Sequence, residues 1–469
     1  MPQDSTITSV SLGRGPEAIA VSAAEQLVLL AVSDDLTLPS SRHLLDDVDE
    51  VRFGRGPREA RRTDVDGRCV LSLSVPDGRM STQHGRLTRG AEAWVLDDPT
   101  SKNGAVVDGV LTRRTVVGDG ALIELGHTFF LFRIAPVEVD APDDVIEDEL
   151  TAASPALTTF DGALAERYAA LARVAPTDVS IVLLGETGTG KELVARAVHD
   201  LSQRKGAFVA VNCGALPQTL LEAELFGHRK GAFSGAAGDR RGLIRSADQG
   251  TLLLDEVGEL PAASQVAFLR VMQEREVVPV GDDRPVKVDL RLCAATLRDL
   301  DAMVAAGTFR RDLYARLFGV TIELPPLRQR RSDLGLILRA LLRRSPGSER
   351  VTMAPAAMRA IFRHDWPLNI RELEKALSSA RALAGGAPIE LAHLPAAVTA
   401  PPRIEPPQPV VAAPTALDSE EEALRHRLIA LLVEHDGNVV AVAEALGKRR
   451  MQVYRWARRF AIKLGDYRR

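Results

Sequence analysis

A glycine-rich loop between an apolar strand and a helix limits the fold of this chain more than any other segment. The strand Ser180-Ile-Val-Leu-Leu184 is followed by Gly185-x4-Gly190-Lys191, which we call the phosphate loop, and by a helical stretch that begins near Glu192. The backbone N–H groups of such a loop form an anion nest, the helix N-terminus adds positive potential, and the lysine reaches the terminal phosphates. A plain glycine turn is the alternative interpretation, but the strand and the lysine favour a nucleotide site.

The region from about 157 to 395 has the pattern of an α/β domain. Helical stretches alternate with apolar strands at 180–184, 208–211, 251–254 and 290–295. Apolar runs of this kind indicate strands that are buried on both faces of a parallel sheet. We therefore predict a parallel sheet that carries the phosphate loop at the end of one strand.

Two acidic residues follow the strand at 251–254. Position 192 is Glu, whereas the general phosphate-loop motif has a Ser or Thr whose hydroxyl touches magnesium, so the metal needs another ligand. We predict that Asp255 holds Mg2+, directly or through water, and that Glu256 polarises the attacking water. A solvated strand end is the alternative interpretation of this pair.

The segment from about 26 to 135 has the pattern of an all-β domain. Strands are expected at 27–32, 69–75, 93–96, 122–125 and 128–133, because turn residues such as Asp77-Gly78 and Asp108-Gly109 separate them. This pattern predicts a sandwich or a barrel. Residues 1–25 are then an N-terminal extension.

Two segments have the composition of linkers. Residues 136–156 contain seven acids and no base between Glu138 and Glu149, which predicts a solvated acidic linker. Residues 396–417 are rich in proline, which predicts a stiff and extended linker. These linkers divide the 469 residues into three domains, as the length also suggests.

The last domain, residues 418–469, has the pattern of a DNA-binding helix-turn-helix. Asn438 can cap a helix that ends at Leu446, Gly447 turns the chain, and a basic helix follows from about 449 to 460. Nine bases against one acid between positions 448 and 469 suit a polyanion such as double-stranded DNA. The predicted base or phosphate contacts are Arg449, Arg450, Gln452 and Arg455. A basic solvated helix is the alternative interpretation.

The composition excludes several classes of protein. Hydrophobic residues make up 45% and charged residues 26%, the balance of a globular protein. The three cysteines are dispersed, which argues against a disulfide framework and favours a reducing cytoplasm. No signal peptide and no apolar run of membrane-spanning length is found, so we predict a cytoplasmic protein without a membrane partner.

The central domain resembles the AAA+ ATPases, and among them the bacterial enhancer-binding proteins that activate sigma-54 RNA polymerase. The resemblance rests on a set of motifs that covers the whole domain: Gly185-Glu-Thr-Gly-Thr-Gly-Lys-Glu192, Val211-Asn-Cys213, Glu224-Leu-Phe-Gly-His228, Gly231-Ala-Phe-Ser-Gly-Ala236, Leu254-Asp-Glu-Val-Gly-Glu-Leu260, Leu324-Pro-Pro-Leu-Arg328 and Trp366-Pro-Leu-Asn-Ile-Arg-Glu-Leu373. It implies ATP and Mg2+ as ligands and a helical lid at about 330–395. Glu192 is usual in that family.

The resemblance assigns roles to residues that match the family motifs. Asn212 is expected to hydrogen-bond Glu256, Thr296 to serve as the first sensor and Arg371 to reach the phosphates from the lid. Arg310 and Arg316 are expected to enter the ATP site of a neighbouring subunit, which implies a homo-oligomeric ring, a hexamer. The residues expected to hold the nucleotide are Gly185, Glu186, Thr187, Gly188, Thr189, Gly190, Lys191, Glu192, Thr296 and Arg371. The sequence departs from the family at Leu297, where Asn is usual, and at Leu368, where Gly is usual.

One loop carries the functional part of the resemblance. In enhancer-binding proteins it reaches out of the ring to grip sigma-54, and here it consists of Gly231, Ala232, Phe233, Ser234, Gly235 and Ala236, which we call the sigma loop. The glycines allow the backbone to rise and fold back, and Phe233 offers a rigid apolar contact. Arg229, just before the loop, stands where the family commonly has an acid. A hairpin tip with a core-facing Phe is the alternative interpretation.

Three fragments of the β region resemble the signature loops of forkhead-associated (FHA) domains, which bind phosphothreonine peptides. They are Phe53-Gly54-Arg55, Ser81-Thr-Gln-His84 and Ser101-Lys-Asn103-Gly104. The resemblance implies that Arg55 pairs with the phosphate, Ser81 hydrogen-bonds it and Asn103 holds the peptide backbone. Thr82 stands where many FHA domains have a basic residue. An FHA domain that only packs on the ATPase is the alternative.

Together these patterns predict a sigma-54-dependent transcriptional activator. An FHA sandwich would recognise a phosphothreonine protein, with a Ser/Thr kinase as the candidate. An α/β AAA+ motor with a helical lid would act on the sigma-54 RNA polymerase holoenzyme. A C-terminal all-α helix-turn-helix, which resembles the Fis-type module, would bind enhancer DNA. The alternatives are another DNA-tethered AAA+ remodeller, such as a helicase loader, and a catalytically weak phosphopeptide-binding DNA adaptor.

Overall fold

The computed structural model describes most of the chain. The described residues are 21–91, 93–99, 101–138, 141–233, 236–344, 351–400 and 419–446, with the single positions 453, 456, 457, 460, 462 and 467. Several predictions therefore lie outside the described residues: most of the N-terminal extension, most of the proline-rich linker, and the residues Ser234, Gly235, Arg449, Arg450, Gln452 and Arg455.

The N-terminal domain, which we call the β domain, is the predicted sandwich. Its strands are β1 Val21–Val32, β2 Ser41–Leu44, β3 Glu50–Arg55, β4 Glu59–Val65, β5 Arg68–Val75, β6 Gly85–Arg89, β7 Trp94–Asp97, β8 Ala105–Val107, β9 Val110–Thr112, β10 Arg114–Val117, β11 Leu122–Leu125, β12 Thr128–Glu138 and β13 Asp144–Ile146. They form two sheets with the strand orders β13-β2-β1-β12-β11-β8-β9 and β10-β7-β6-β3-β5-β4.

Alternating side chains of the strands fill the space between the two sheets. In β3, Val51 and Phe53 point inward and are buried, whereas Arg52 between them is exposed. The ring of Phe53 lies 5.0 Å from that of Phe130 on β12 in the other sheet. The β3 strand therefore brings Arg55, at its end, to the rim of the sandwich.

The acidic segment is not the solvated linker that we predicted. Asp144–Ile146 forms β13, which pairs antiparallel with β2. The carboxylate of Asp144 accepts hydrogen bonds from His43 Nδ1 at 2.7 Å and from Arg62 Nε at 2.7 Å. Burial raises the pKa of Asp144, but the bonds from His43 and Arg62 outweigh burial and hold the pKa below its usual value. The acidic segment is therefore folded, because basic side chains from other parts of the chain pair with its carboxylates.

The second domain has the predicted α/β architecture. Its elements are α1 Gly162–Val174, β14 Ile181–Leu184, α2 Lys191–Leu201, β15 Phe208–Asn212, α3 Gln218–Phe226, α4 Leu243–Ser246, β16 Thr251–Asp255, α5 Ala262–Glu274, β17 Glu276–Val277, β18 Val286–Lys287, β19 Arg291–Thr296, α6 Leu300–Ala305, α7 Arg311–Leu317 and β20 Val320–Glu323. Five of the strands form a parallel sheet with the order β15-β16-β19-β14-β20, and a small hairpin joins β17 to β18.

A helical lid follows the parallel sheet. Its helices are α8 Leu334–Arg343, α9 Pro355–Arg363, α10 Asn369–Ala384 and α11 Ala396–Thr399. Val398 is buried in the lid core, so the first residues assigned to the proline-rich linker belong to the lid.

The lid and the β domain share one hydrophobic core, which we call the shared core. The ring of Phe129 on β12 lies 5.5 Å from that of Phe362 on α9. The carboxylate of Glu124 accepts hydrogen bonds from Arg359 Nε at 3.0 Å and Nη2 at 2.8 Å. A side chain at Gly335 would run into the carbonyl oxygen of Leu30, so glycine is required where α8 meets β1. The β domain is therefore seated directly on the lid.

The acidic segment adds an ionic contact to this interface. Arg339 on α8 pairs with Glu147 at 3.0 Å and with Asp148 at 2.9 Å, and its Nε donates to the carbonyl oxygen of Thr37 at 2.8 Å. The acidic segment, which we predicted to be a linker, thus contributes ion pairs to the interface between the β domain and the lid.

The C-terminal region contains the first predicted helix. The described helices are α12 Ser419–Glu434 and α13 Val439–Leu446. The side chain of Asn438 accepts hydrogen bonds from the backbone N–H groups of Val440 at 3.1 Å and Ala441 at 3.4 Å, as its predicted capping role requires. Leu428, Val442 and Val453 lie in one apolar cluster, so a chain segment beyond α13 packs back on these helices.

Candidate functional site

The phosphate loop lies at the carboxyl end of β14, which runs between β19 and β20 in the parallel sheet. Gly188 and Gly190 have φ values of 80° and 102°, which favour glycine. A side chain at Gly188 would also run into the carbonyl oxygen of Leu368 from the lid. The Nζ atom of Lys191 donates to the carbonyl oxygens of Gly185 at 2.8 Å and Glu186 at 3.1 Å, so the ammonium group lies over the loop.

Other residues of the loop take different positions. Thr189 is buried, and its hydroxyl donates to the carbonyl oxygen of Glu186 at 2.9 Å, which closes the loop from inside. Glu192, in the first turn of α2, is exposed and pairs with Arg196 at 3.3 Å. The side chain of Glu192 thus faces solvent and not the nucleotide site.

The predicted acidic pair lies next to the lysine. Asp255 ends β16, and Glu256 follows with φ 54°, in the left-handed region. Burial lowers the pKa of Lys191, and the carboxylates of Glu256 and Asp255 act in the opposite direction. The three charged groups therefore belong to one site, which the strand order β16-β19-β14 brings together.

Asn212 lies beside this pair without the bond that we expected. It ends β15 and is in register with Asp255 on β16. Its side-chain oxygen accepts from the backbone N–H of Gly214 at 2.9 Å. Within the described part of the chain, no hydrogen bond joins Asn212 to Glu256, so the predicted contact is not present in this conformation.

Both predicted sensor residues border the phosphate loop. Thr296 ends β19, is fully buried, and its carbonyl oxygen accepts from the N–H of Gly185 at 3.3 Å. Arg371 lies in the first turn of α10, close enough that its charge contributes to the lowered pKa of Lys191, whose main cause is burial. The two departures from the family are both exposed: Leu297 follows Thr296, and Leu368 has φ −102°, a backbone conformation that needs no glycine.

The two arginines that we expected to enter a neighbour's ATP site lie on the surface of the same domain. Arg310 immediately precedes α7 and forms an ion pair with Asp312 at 2.7 Å. Arg316, in the last turn of α7, is exposed. Among the described contacts, neither guanidinium touches the phosphate loop of its own chain.

The site fits a nucleotide with its metal ion. The left-handed glycines and the start of α2 give the phosphate loop the backbone of an anion-binding nest. The buried Lys191 adds a full positive charge. Asp255 provides a carboxylate for Mg2+, whose preferred ligands are oxygens. Glu256 provides a second carboxylate that can accept a proton from water.

The base of the sigma loop is held by ion pairs that we did not predict from the sequence. Arg229 forms ion pairs with Asp239 at 2.6 Å and with Asp282 at 2.6 Å. Asp282 belongs to the connection between β17 and β18. The ring of Phe233 packs edge-on against His228, with centroids 4.9 Å apart, and remains 38% exposed. Phe233 is therefore a surface residue of the loop and not a core residue.

The predicted phosphopeptide residues gather at one end of the β domain. Arg55 and Thr82 are exposed, and the N–H of Arg55 donates to the carbonyl oxygen of Ser81 at 2.9 Å. Asn103 is exposed and donates to the carbonyl oxygen of Arg79 at 3.1 Å. The buried His84 accepts from the N–H of Ser81 at 3.1 Å and thus braces this loop. Arg55 and Thr82 border a cleft of about 740 Å³.

Sequence reasoning missed the contacts between the lid and the phosphate loop. Arg328 pairs with Glu186 at 2.6 Å, and the side-chain nitrogen of Asn369 donates to Glu186 at 3.1 Å and to the carbonyl oxygen of Thr187 at 3.0 Å. Both residues lie inside motifs that the resemblance had marked. Their position beside the loop depends on how the lid folds back, which no local pattern reveals.

Comparison with known families gives three matches along the chain. The model of the Sigma-54 interaction domain matches residues 157–323, that of the AAA+ ATPase lid domain matches 328–409, and that of the FHA domain matches 43–126. The three matches follow the order of the domains described above.

Individual relatives extend the comparison. The acetoin catabolism regulatory protein of Cupriavidus necator is 41% identical over 355 residues, which cover 73% of this chain and 52% of that protein. The transcriptional regulatory protein GlrR of Escherichia coli is 36% identical over 350 residues, which cover 72% of this chain and 77% of that protein. The structure of NtrX from Brucella abortus in complex with ADP has a TM-score of 0.47 at 31% identity and covers 66% of this chain and 69% of that one. The chain thus spans about half the length of the first relative, 52%, and most of the second.

Proposed function

The chain belongs to the sigma-54-dependent transcriptional regulators, and from this membership we propose that it binds enhancer DNA and uses ATP hydrolysis to remodel the closed complex of sigma-54 RNA polymerase. It is an AAA+ ATPase with an FHA domain at its N-terminal end. The observation that carries the proposal is the sigma loop: the domain that holds the phosphate loop and the acidic pair also has a segment that exposes Phe233.

In the proposed reaction, each residue of the site has a separate task. Lys191 and the backbone of the phosphate loop hold the phosphates of ATP, and Asp255 holds Mg2+, which neutralises developing negative charge when bound. Glu256 orients the attacking water and takes up its proton. Arg371 holds the nucleotide from the lid, so that binding and lid position depend on each other.

The arginines of α7 support a homo-oligomeric ring as the working form, and we propose a hexamer. Arg310 and Arg316 are exposed on their own subunit, from where they can stabilise a transferring phosphoryl group in the ATP site of a neighbour. The Arg310–Asp312 ion pair keeps the guanidinium at the surface before assembly.

Two further parts of the proposal concern regulation and location. The exposed Arg55, Thr82 and Asn103 support recognition of a phosphothreonine protein, with a Ser/Thr kinase as the source of the phosphate. The capped helix α13 supports a helix-turn-helix that binds enhancer DNA through the basic segment beyond it. The cytoplasm is the proposed compartment. Among the described helices, none combines the length and the apolar character that crossing a membrane requires.

The direct test of the function combines DNA mapping with transcription by purified components. We expect genome-wide mapping to place the protein near sigma-54 promoters. We also expect the full chain to drive sigma-54 transcription in vitro only when ATP can be hydrolysed. Binding sites without sigma-54 promoters nearby, together with no effect on transcription, would favour another DNA-tethered remodeller.

The phosphothreonine site leads to a prediction for Arg55. Because a charge-assisted bond to phosphate contributes about 1.5–3 kcal/mol, Arg55→Ala should weaken binding of a phosphothreonine peptide by about 10- to 150-fold. A degenerate phosphothreonine peptide library and calorimetry of its best binder measure this. Arg52→Ala is the matched control, because Arg52 lines the same cleft but pairs with Glu50 at 2.7 Å. Equal binding by wild type and Arg55→Ala would favour an FHA domain that only packs on the lid.

The ion pairs of Arg229 lead to a prediction for the mobility of the sigma loop. Arg229→Ala removes both bonds to Asp239 and Asp282, so amide hydrogen exchange at residues 228–240 should become about two- to fivefold faster. The effect should disappear in high salt, since these pairs are exposed. Arg241→Ala is the control, because Arg241 is exposed and has no ion pair within the described residues. Unchanged exchange in Arg229→Ala would show that the loop base is held by other contacts.

A further inference from the structure

Three consecutive residues of the phosphate loop accept hydrogen bonds from Arg328 and from the start of α10. Glu186 is held by Arg328 and Asn369, Thr187 is held by Asn369, and the carbonyl oxygen of Gly188 accepts from the N–H of Ile370 at 2.9 Å. None of these contacts involves a group that transfers or accepts a proton during ATP hydrolysis. They act on the shape of the loop.

Asn369 is buried at the centre of these hydrogen bonds. It is fully buried and has φ 57°, a conformation that asparagine adopts more readily than most residues. Its oxygen accepts from the N–H of Leu327 at 2.7 Å, while its nitrogen donates to Glu186 and Thr187. The amide thus has partners at both ends, and it joins the connection before the lid, the start of α10 and the phosphate loop.

Glu186 is the acceptor on the phosphate-loop side. Both nitrogens of the Arg328 fork donate to its carboxylate, at 2.9 and 2.6 Å. The hydrogen bond from Arg328 holds the pKa of Glu186 below its usual value, so the carboxylate is charged at neutral pH. The side chain of Glu186 therefore faces the lid, although its backbone belongs to the phosphate nest.

We propose that Glu186, Arg328 and Asn369 form a clasp of positioning residues that sets the affinity of the phosphate loop for nucleotide according to the position of the lid. A phosphate nest binds only while its N–H groups converge. The clasp holds the side chain of Glu186 and the carbonyl oxygen of Thr187, and the N–H of Ile370 adds a bond to the carbonyl oxygen of Gly188. The proposal rests on the ATPase activity and not on the promoter that the protein acts on.

The clasp makes a specific kinetic prediction. The loop holds phosphates equally in the bound and in the reacting nucleotide, so loosening it should raise KM for ATP and leave kcat nearly unchanged. We expect Glu186→Gln and Arg328→Gln each to raise KM, and the Kd of a fluorescent ADP analogue, by about two- to fivefold. The double variant should be no worse than either single variant, because both remove the same ion pair.

The buried arm of the clasp is tested by Asn369→Gly. Glycine accepts the φ of 57°, so the change removes the amide without straining the backbone. We expect Asn369→Gly to raise KM more than Glu186→Gln or Arg328→Gln does, because the side chains of Glu186 and Arg328 are partly exposed. The matched control is Glu374→Gln, because Glu374 is an exposed lid carboxylate that pairs with Arg344 at 3.9 Å, away from the loop.

The values of kcat and KM distinguish loss of the clasp from partial unfolding of the variant. A variant that only unfolds part of the protein lowers the active fraction, so kcat falls and KM stays constant. Unchanged KM in folded Glu186→Gln and Arg328→Gln, or strictly additive effects in the double variant, would overturn the clasp. If the wild type hydrolyses ATP but never activates a sigma-54 promoter, the proposed function fails while the clasp can still be measured.

Discussion

Glu256→Gln is expected to retain ATP binding and to lose hydrolysis by about 100- to 10,000-fold, the usual contribution of a positioned general base. The glutamine keeps the size of the side chain but cannot accept the proton of the attacking water. Lys191→Ala should instead weaken nucleotide binding by about 10- to 150-fold, because a charge-assisted contact to phosphate is lost. Phosphate release and binding of a fluorescent ATP analogue measure the two effects separately.

The contrast between these two variants is the informative result. Both side chains lie in one site, where the carboxylate of Glu256 acts on the pKa of the buried Lys191. Glu259→Gln is a suitable control, since this nearby carboxylate in the same segment lies outside the predicted site. Equal rates of phosphate release in the wild type, Lys191→Ala and Glu256→Gln would contradict the ATPase assignment of these residues.

Phe233→Ala is expected to abolish open-complex formation at a sigma-54 promoter while ATP hydrolysis stays within about twofold of wild type. Truncating an aromatic anchor at the centre of an interface removes 2 kcal/mol or more, which is about a 30-fold loss of affinity. In this structure Phe233 rests on His228 and does not fill the core, so the substitution leaves the fold intact. Permanganate footprinting of the promoter, with phosphate release in parallel, gives both readouts.

A control for this variant is available on another surface. Leu383→Ala truncates an apolar side chain that is 68% exposed at the end of α10. It should affect neither open complexes nor hydrolysis. If Phe233→Ala transcribes as well as wild type, the sigma loop is not the element that grips sigma-54.

Local patterns predicted the elements of the fold well where the signal was short-range. The apolar runs predicted the strands β14, β15, β16 and β19, and the order of strand and glycine-rich loop placed the phosphate loop at the carboxyl end of β14. The short β strands Ser41–Leu44, Ala105–Val107 and Val110–Thr112 were not predicted, because three or four residues carry too little periodicity.

The prediction of a solvated acidic linker was wrong for a different reason. A run of like charges is solvated only when no opposite charge is brought to it. Here Arg62 comes from the β domain and Arg339 from the lid, about 80 and 190 residues away in sequence, and both bind the acidic segment. The same limitation hid the clasp at Glu186, since the positions of its partners follow from the tertiary fold.

The shared core has a consequence for how the N-terminal domain can be studied. Because β12 and α9 bury Phe129 and Phe362 against each other, a truncated chain that starts after the β domain would present a bare apolar surface on its lid. It would also leave Arg359 without its carboxylate partner. Such a fragment would aggregate or refold its lid for reasons unrelated to signalling. The N-terminal domain is therefore not a detachable module, and only point substitutions on its exposed loops can tell whether it restrains or stimulates the motor.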